Sequence, residues 1–226
     1  MKIVMVLLLA LMPLLAGATA PESFSGNSGV VHALHMTSLK EARYRNTIHQ
    51  KYDFSCGSAA VATLLTYQYG YPVTEQQAFA QMYALGDQAK IRKEGFSMLD
   101  IKRFLQANGF DADGFDVPLD KLSQEHLPAI VLVDQRGYHH FVVIKGLRDD
   151  RVLVGDPAMG TRVMSRTQFN AVWKDHLVFV IHNRRLLAVF NSSADWRITP
   201  SAPLGLGIDR SGLGNLVMPK LGPGDI

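Results

Sequence analysis

The sequence contains very little cysteine and little charge of either sign. Its 226 residues include a single cysteine, Cys56, so no disulfide can form within the chain. Charged residues make up 19% of the chain and the formal net charge is only +3. The basic residues form no run of the kind with which nucleic-acid-binding proteins neutralise phosphates. The composition therefore argues against a disulfide-stabilised fold and against a nucleic-acid partner.

Long apolar runs are also scarce, and the one candidate lies at the N-terminus. Residues 1–20 carry one positive charge, Lys2, followed by an apolar stretch over residues 3–15 and by small residues at Ala18 and Ala20. This is the layout of a secretory signal peptide. An uncleaved membrane anchor is the alternative, but the apolar stretch is short for a span of about 20 residues. We expect cleavage after Ala20, export, and no stable membrane span in the mature chain.

The remainder is apolar enough for one globular domain, since 47% of all residues are hydrophobic. After the signal peptide, residues 21–47 are predicted to be an N-terminal leader with a flexible, Ser- and Gly-rich start. A folded domain is predicted for residues 48–183. The Gly- and Pro-rich residues 184–226 are predicted to be an extended or disordered tail.

The first half of the folded domain has the pattern of helices. Small and apolar residues predict a buried helix from Gly57 to about Tyr69. A second helix is predicted after a cap at Thr74, and a third from Ser97, with Asp100 completing a weak capping box. Leu99, Ile101, Phe104 and Leu105 are expected to be the inward-facing residues of this third helix.

The second half has the pattern of an antiparallel sheet. Short runs rich in β-branched residues, separated by turn signals, predict strands at residues 129–133, 140–144, 152–154, 161–164 and 177–181. A short helix is predicted for residues 166–173. Helices followed by a sheet indicate the α+β fold class.

Cys56 lies just before the first long helix. A helix N-terminus carries partial positive charge and free amide donors, and both favour a thiolate over a thiol. Gly57 lets the backbone or a substrate approach closely. A buried cysteine packed as a small hydrophobic residue is the alternative. The position nevertheless suits a nucleophile.

A thiolate nucleophile needs an imidazole partner, and the chain has eight histidines. His140 opens an apolar strand, a rigid position that suits a catalytic base, whereas His139 points to the opposite face of a regular strand. Asp156 ends the next strand, so an antiparallel pair places it near His140. The alternatives are a structural histidine at a strand end and an ordinary Asp-Pro turn at Asp156.

Gln50 lies six residues before Cys56 and is a candidate oxyanion donor together with the backbone amide of Cys56. A surface glutamine is the alternative. Adjacent residues of a strand point apart, so His139 and His140 do not make a metal motif. There is no nucleotide-binding glycine loop either. We therefore predict neither a cofactor nor a metal site.

These residues and their surroundings resemble the double-glycine leader peptidases, cysteine peptidase family thirty-nine. The resemblance covers about residues 48 to 182. It rests on Gln50 and on the segments YDFSCGSAAVATLL, GFSMLDIKRFLQANGF, YHHFVVIKG, VLVGDPAMG, SRTQFNAVW and LVFVI. It implies a papain-like fold with an N-terminal helical lobe and a C-terminal antiparallel sheet lobe. It also implies that Cys56 is the nucleophile, His140 the general base and acid, Asp156 the orienting residue and Gln50 the oxyanion donor.

The chain departs from the bacteriocin-exporter members of that family in two ways. Those members are fused to a membrane transporter, and they often have an acid where this chain has Ser55. The free-standing exported layout resembles the peptidase-like components of functional-amyloid secretion systems. That resemblance implies a periplasmic location and a polypeptide substrate, with amyloid subunits or their secretion machinery as partners.

The function expected from the sequence is therefore that of an exported cysteine endopeptidase cleaving after small residues such as Gly. Two alternatives stay open. One is a peptide-binding module that docks leader peptides without cutting them, and the other is transfer of the acyl group to an amine. A further hypothesis places part of residues 201–226 in the active site until it is displaced, against the simpler alternative of a disordered terminus.

Overall fold

A computed structural model describes residues 38–198. The predicted signal peptide, most of the predicted leader and residues 199–226 lie outside this range, as does the hypothesis that the tail occupies the active site. Helices come first along the chain and an antiparallel sheet follows, which confirms the α+β class. Within residues 38–198 no helix has both the length and the apolar character needed to cross a membrane.

The helical lobe contains the three predicted helices and two that the sequence did not indicate. Its elements are α1 (Leu39–Tyr44), α2 (Cys56–Thr63), which continues as a π-helical turn (Leu64–Gln68), α3 (Glu75–Leu85), α4 (Gln88–Glu94) and α5 (Met98–Ala107). Thr74 caps α3 in a reciprocal capping box with Gln77, and Ser97 caps α5 in the same way with Asp100. Every residue of α2 is buried, so this helix forms the centre of the lobe.

One predicted core position in α5 is wrong. Ile101, Phe104 and Leu105 are completely buried as expected, but Leu99 is 52% exposed. The helix begins at Met98, which packs against the core, and the residues one helical turn further on continue the same stripe. Leu99 therefore falls on the solvent side of the helix.

The sheet has six antiparallel strands in the order β1-β6-β2-β3-β4-β5. The strands are β1 (Ala112–Asp116), β2 (Ala129–Gln135), β3 (Tyr138–Arg148), β4 (Arg151–Asp156), β5 (Gly160–Ser165) and β6 (Leu177–Ile181), with α6 (Leu119–Glu125) and α7 (Arg166–Val172) between them. Five strands were predicted, whereas β1 was missed.

Both faces of the sheet are covered. Alternate residues of β3 belong to different hydrophobic clusters, since Phe141 and Val143 pack with the helical lobe whereas Val142 and Ile144 pack with α6 and α7. This explains why β3 reads as a continuous apolar run. The strand is held rigidly from two sides, which fixes the position of the residues at its start.

The prediction that the tail begins at residue 184 is wrong for residues 184–198. A 3₁₀ turn (Arg185–Leu187) and a short helix α8 (Ser193–Trp196) follow β6. We call residues 186–198 the C-terminal strap. The Val189 amide donates to the Gln68 carbonyl of the helical lobe, and the Asn191 amide donates to the Lys145 carbonyl of the sheet. These long-range bonds order a segment that has no regular hydrophobic pattern.

The predicted leader also ends earlier than expected. Ser38 and Glu41 form a capping box that starts α1, and the Tyr44 hydroxyl donates a hydrogen bond to the Ala158 carbonyl beyond β4. Residues 38–47 are therefore part of the folded structure rather than of a flexible leader.

Candidate active site

Cys56 is the first residue of α2 and is 7% exposed. The turn before it is closed by Ser55, whose hydroxyl donates to the Tyr52 carbonyl at 3.0 Å and accepts from the Tyr52 amide at 3.1 Å. No side chain caps this end of α2. A Cβ added at Gly57 would lie 2.9 Å from Cβ of Phe96, so glycine allows the head of the helix to pack closely. The local sequence thus places a thiol beside uncapped helical amides.

His140 and Asp156 are joined by a buried hydrogen bond. Nε2 of His140 lies 2.8 Å from Oδ1 of Asp156, and the two side chains are 3% and 1% exposed. The antiparallel pairing of β3 with β4, in which Val143 faces Gly155, brings them together. The neighbouring His139 is 56% exposed and contacts Asp134 instead. Since a carboxylate accepts the bond, Nε2 carries the proton and Nδ1 is the nitrogen left for a second partner.

Nδ1 of His140 faces the thiol without an aligned hydrogen bond. It is buried and has no hydrogen-bond partner among residues 38–198. Burial disfavours the imidazolium and is the largest single influence on this group. The hydrogen bond and charge of Asp156, together with the proximity and charge of Cys56, outweigh burial and raise the pKa of His140 to about 9. The site thus favours a charged imidazolium beside the sulfur of Cys56.

The carboxylate of Asp156 is held in its ionised form. Burial on its own raises the pKa of Asp156, but the hydrogen bond and charge of His140, followed by the charge of Arg162, lower it below its ordinary value. The backbone amide of Ala158 donates to Oδ1 at 2.9 Å and adds to this effect. A permanent negative charge therefore lies behind the imidazole.

Gln50 lies against the same turn but is oriented towards the backbone. Its amide nitrogen donates to the Pro157 carbonyl at 3.1 Å, which ties it to the end of β4. Its side-chain Nε2 donates to the Tyr52 carbonyl at 3.1 Å. Oε1 is buried and has no partner within the described part of the chain. Gln50 is therefore brought to the segment that leads into Cys56.

Tyr138 is a site residue that the sequence reasoning missed. Its ring stacks on the His140 imidazole with centroids 5.8 Å apart, and its hydroxyl donates to the Asp53 carbonyl at 2.6 Å. Burial and then the charge of Cys56 raise the pKa of Tyr138, whereas the nearby side-chain amide of Gln50 opposes the shift. The sequence feature that could have indicated it is its position two residues before His140, because such residues lie on the same face of a strand. Tyr138 links the sheet to the segment before Cys56.

A groove of about 540 Å³ opens at Cys56. Its floor is apolar and its rim carries both signs of charge. The apolar lining consists of Phe54, Phe96, Met98, Leu132, Phe141 and Leu177, and the charged rim of Asp53, Lys93, Glu94, Lys174 and Asp175. Such a groove suits an extended or helical polypeptide better than a small charged metabolite.

A comparison with protein families matches residues 44–185 to the Peptidase C39 family. The chain belongs to this family. It is 41% identical over 175 residues to the probable functional amyloid protease FapD of Pseudomonas fluorescens, a match that covers 77% of this chain and 76% of that protein. It is 42% identical over 144 residues to the protein of the same description from Pseudomonas aeruginosa, covering 64% of this chain and 63% of that one.

The fold agrees with a solved C39 structure. The peptidase domain of Streptococcus ComA, a bifunctional ABC transporter, superposes with a TM-score of 0.51 at 23% identity, covering 60% of this chain and 96% of that domain. The predicted family and papain-like fold are confirmed, and the chain is a cysteine peptidase.

Proposed function

We propose that this C39 protein is an exported endopeptidase in which Cys56, His140, Asp156 and Gln50 carry out the reaction. The observation that carries the proposal is the arrangement of His140. Its Nε2 is hydrogen-bonded to Asp156, whereas its Nδ1 is buried without a hydrogen-bond partner among residues 38–198. The charge of Cys56 contributes to the raised pKa of this imidazole. A structural histidine in a protein interior would have both nitrogens satisfied.

In the first half of the reaction the Cys56 thiolate attacks the carbonyl carbon of the scissile peptide bond. The carbonyl oxygen becomes an oxyanion, which the Cys56 amide and the Gln50 side-chain amide stabilise. Gln50 Nε2 donates one hydrogen to the Tyr52 carbonyl, which leaves its second hydrogen for the oxyanion. The His140 imidazolium then donates its Nδ1 proton to the leaving amine, and the C–N bond breaks to leave a thioester on Cys56.

In the second half neutral His140 accepts a proton from water, and the resulting hydroxide attacks the thioester. The C–S bond breaks, the acid product leaves, and the thiolate–imidazolium pair is restored. Asp156 keeps the ring oriented throughout and stabilises its charged form, as the 2.8 Å bond to Nε2 supports.

A small residue is proposed on the acyl side of the cleaved bond. The ring of Tyr138 stacks on His140, and its hydroxyl donates to the Asp53 carbonyl at 2.6 Å. This hydrogen bond joins the sheet lobe to the helical lobe next to the nucleophile and narrows the space for a substrate side chain there. A glycine of the substrate would fit in this space, whereas a branched side chain would collide with Tyr138. The family resemblance points the same way.

We further propose a periplasmic location and a role in functional-amyloid maturation or secretion. The predicted signal peptide and the 41% identity to a probable functional amyloid protease support this assignment. The polypeptide substrate would be an amyloid subunit or a component of its secretion machinery. Mature protein found in the periplasmic fraction of its host would agree with this, whereas retention in the cytoplasm would contradict it.

The activity is tested by incubating residues 21–226 with synthetic peptides that differ only at the two residues before the scissile bond. Gly-Gly, Ala-Ala and Leu-Leu peptides are compared by mass spectrometry, with Cys56→Ala as the control. We expect cleavage that decreases in that order and disappears in the control. Equal cleavage of all three would refute the preference for small residues.

The second candidate is a docking module that binds peptides without cutting them, and the apolar groove is the observation that favours it. The same peptides distinguish the endopeptidase from the docking module. Binding with no cleavage, unchanged in Cys56→Ala, would support docking. Products conjugated to an added amine instead of free acids would indicate acyl transfer.

A further inference from the structure

The two oxygens of Asp156 have different surroundings. Oδ1 accepts from His140 Nε2 at 2.8 Å and from the amides of Ala158 and Met159 at 2.9 and 3.2 Å. Oδ2 is buried and has no aligned hydrogen-bond donor among residues 38–198. Nη2 of Arg162 nevertheless lies 3.0 Å from it. The contact is therefore an ion pair whose effect is mainly that of charge.

Strand register brings Arg162 to this oxygen. In the β4–β5 pair Asp156 faces Gly160 and Val154 faces Arg162, so the arginine is the diagonal neighbour of Asp156. Gly160 has a φ of 77°, and a Cβ there would lie 2.7 Å from Cβ of Arg43, so the connecting turn has little freedom. The Arg162 side chain is only 23% exposed, and its Nε is buried without a partner in the described residues. This guanidinium is not simply a solvated surface group.

We propose that Arg162 is a positioning residue of the active site, which fixes Asp156 from behind and sets the pH range over which the Cys56–His140 ion pair exists. This inference rests on the proposed roles of Cys56, His140 and Asp156. It extends the line of interacting groups by one member, from the nucleophile through the imidazole and the carboxylate to a guanidinium.

The direction of the effect follows from charge. The positive charge of Arg162 opposes protonation of Asp156 at low pH, so the carboxylate persists in more acidic solution. It also weakens the hold of Asp156 on the imidazolium, so His140 loses its proton at a lower pH than it would without the arginine. The upper limit of the ion pair, where the imidazolium loses its proton, is therefore moved towards acid.

Other titratable groups near Asp156 come from α1 and β3. Burial and then the charge of Asp156 raise the pKa of Tyr44, which Arg43 opposes. The charge of Asp156 also contributes to the raised pKa of Tyr138. Both phenols are neutral over the range in question, so they do not replace the charge of Arg162.

The experiment measures the rate of Cys56 alkylation by iodoacetamide against pH in the mature protein, and it needs no substrate. Arg162→Gln removes the charge, Arg162→Lys keeps it, and Arg166→Gln removes an arginine that pairs with the exposed Asp120 instead. In the wild type we expect a lower step where the ion pair forms and an upper step where the imidazolium loses its proton.

The upper step should move upward by about half a pH unit or more in Arg162→Gln, and by much less in Arg162→Lys and Arg166→Gln. An upper step that stays in place in Arg162→Gln, even with a lower melting temperature, would show a merely structural role and overturn the proposal. If the wild type itself lacks the lower step, the proposed ion pair fails first, and the two failures are thereby distinguished.

Discussion

Strand β3 holds two buried ion pairs of very different character. His140 at its start pairs with Asp156 at 2.8 Å, and Lys145 further along pairs with Asp195 of the C-terminal strap at the same distance. Both pairs are almost completely buried, with side-chain exposures of 3% or less. Burial of charge is therefore not what distinguishes the active site from the rest of the strand.

The difference lies in how well the polar atoms are satisfied. Nζ of Lys145 donates both to Asp195 and to the Asn46 carbonyl at 2.8 Å, and the side chain of Asn46 donates to Asp195 at 2.7 Å. Burial lowers the pKa of Lys145, and Asp195 opposes that shift. His140 and Asp156 each keep one atom without an aligned partner among residues 38–198. The fully hydrogen-bonded pair, Lys145 and Asp195, therefore stabilises the fold. The pair with unpartnered atoms, His140 and Asp156, can still interact with a nucleophile or a substrate.

The largest effect is expected at the active site, which contains the unsatisfied pair. Cys56→Ala and His140→Ala should each reduce peptide cleavage by roughly a thousandfold or more, because the nucleophile or its proton carrier is lost. Cys56→Ala should change the free energy of unfolding by only about 1 kcal/mol. Kinetics and urea unfolding on the same preparations measure both quantities. Peptide cleavage that persists in Cys56→Ala would show that Cys56 is not the nucleophile.

The satisfied pair should behave in the opposite way. Asp195→Ala leaves the buried Lys145 ammonium unpaired and should destabilise the protein by about 3–5 kcal/mol. Alkylation of Cys56 in the protein that remains folded should be unchanged. The matched control is Asp120→Ala, which breaks an exposed pair with Arg166 and should cost about 1 kcal/mol or less.

A double variant sharpens this test. Lys145→Met with Asp195→Asn removes both charges but leaves an acceptor for Asn46, so it should recover at least half of the lost stability. If Asp195→Ala lowered the free energy of unfolding as little as Asp120→Ala does, the buried ion pair of the C-terminal strap would not stabilise the fold as proposed.

The two pairs should also differ in the pH dependence of stability. The pKa of His140 is raised in the folded state from 6.5 to about 9. Its stabilising contribution is therefore complete below about pH 6.5 and is lost as the pH rises through 9, a loss on the order of 1 kcal/mol or more. Urea unfolding at several pH values should show this decline in the wild type and in Asp195→Ala. A slope that persists undiminished in His140→Gln would assign it to another group.

The smallest effect is expected at the rim of the strap. The Arg148 guanidinium lies 4.6 Å from the centre of the Trp196 ring. Because Arg148 is exposed, Arg148→Ala should cost about 0.5–1 kcal/mol. A loss as large as that of Asp195→Ala would mean that the strap is held by its rim and not by its buried ion pair.

Local sequence patterns predicted most of the elements and the residues of the candidate site. Capping residues such as Thr74 and Ser97 and the β-branched runs give signals within a few positions of one another. The spacing of His140 and Asp156 could be interpreted because adjacent antiparallel strands return to the same end.

The missed features depend on contacts between distant parts of the chain. The segment of α4, QAKIRKE, and that of β1, ADGFD, lack a clear apolar period. The strap is ordered through Asp195 and Lys145, which are fifty residues apart. Tyr138 and Arg162 acquire their roles only once the strand register is known, and no local pattern supplies it.

The most direct test of the central claim is the alkylation rate of Cys56 measured across pH in the wild type and in His140→Ala. An ordinary free thiol reacts slowly well below about pH 8.5. We predict rapid labelling of the wild type well below that pH, and loss of that low-pH reactivity in the variant. Slow labelling below pH 7 that is unaffected by the substitution would contradict the thiolate–imidazolium pair and with it the proposed mechanism.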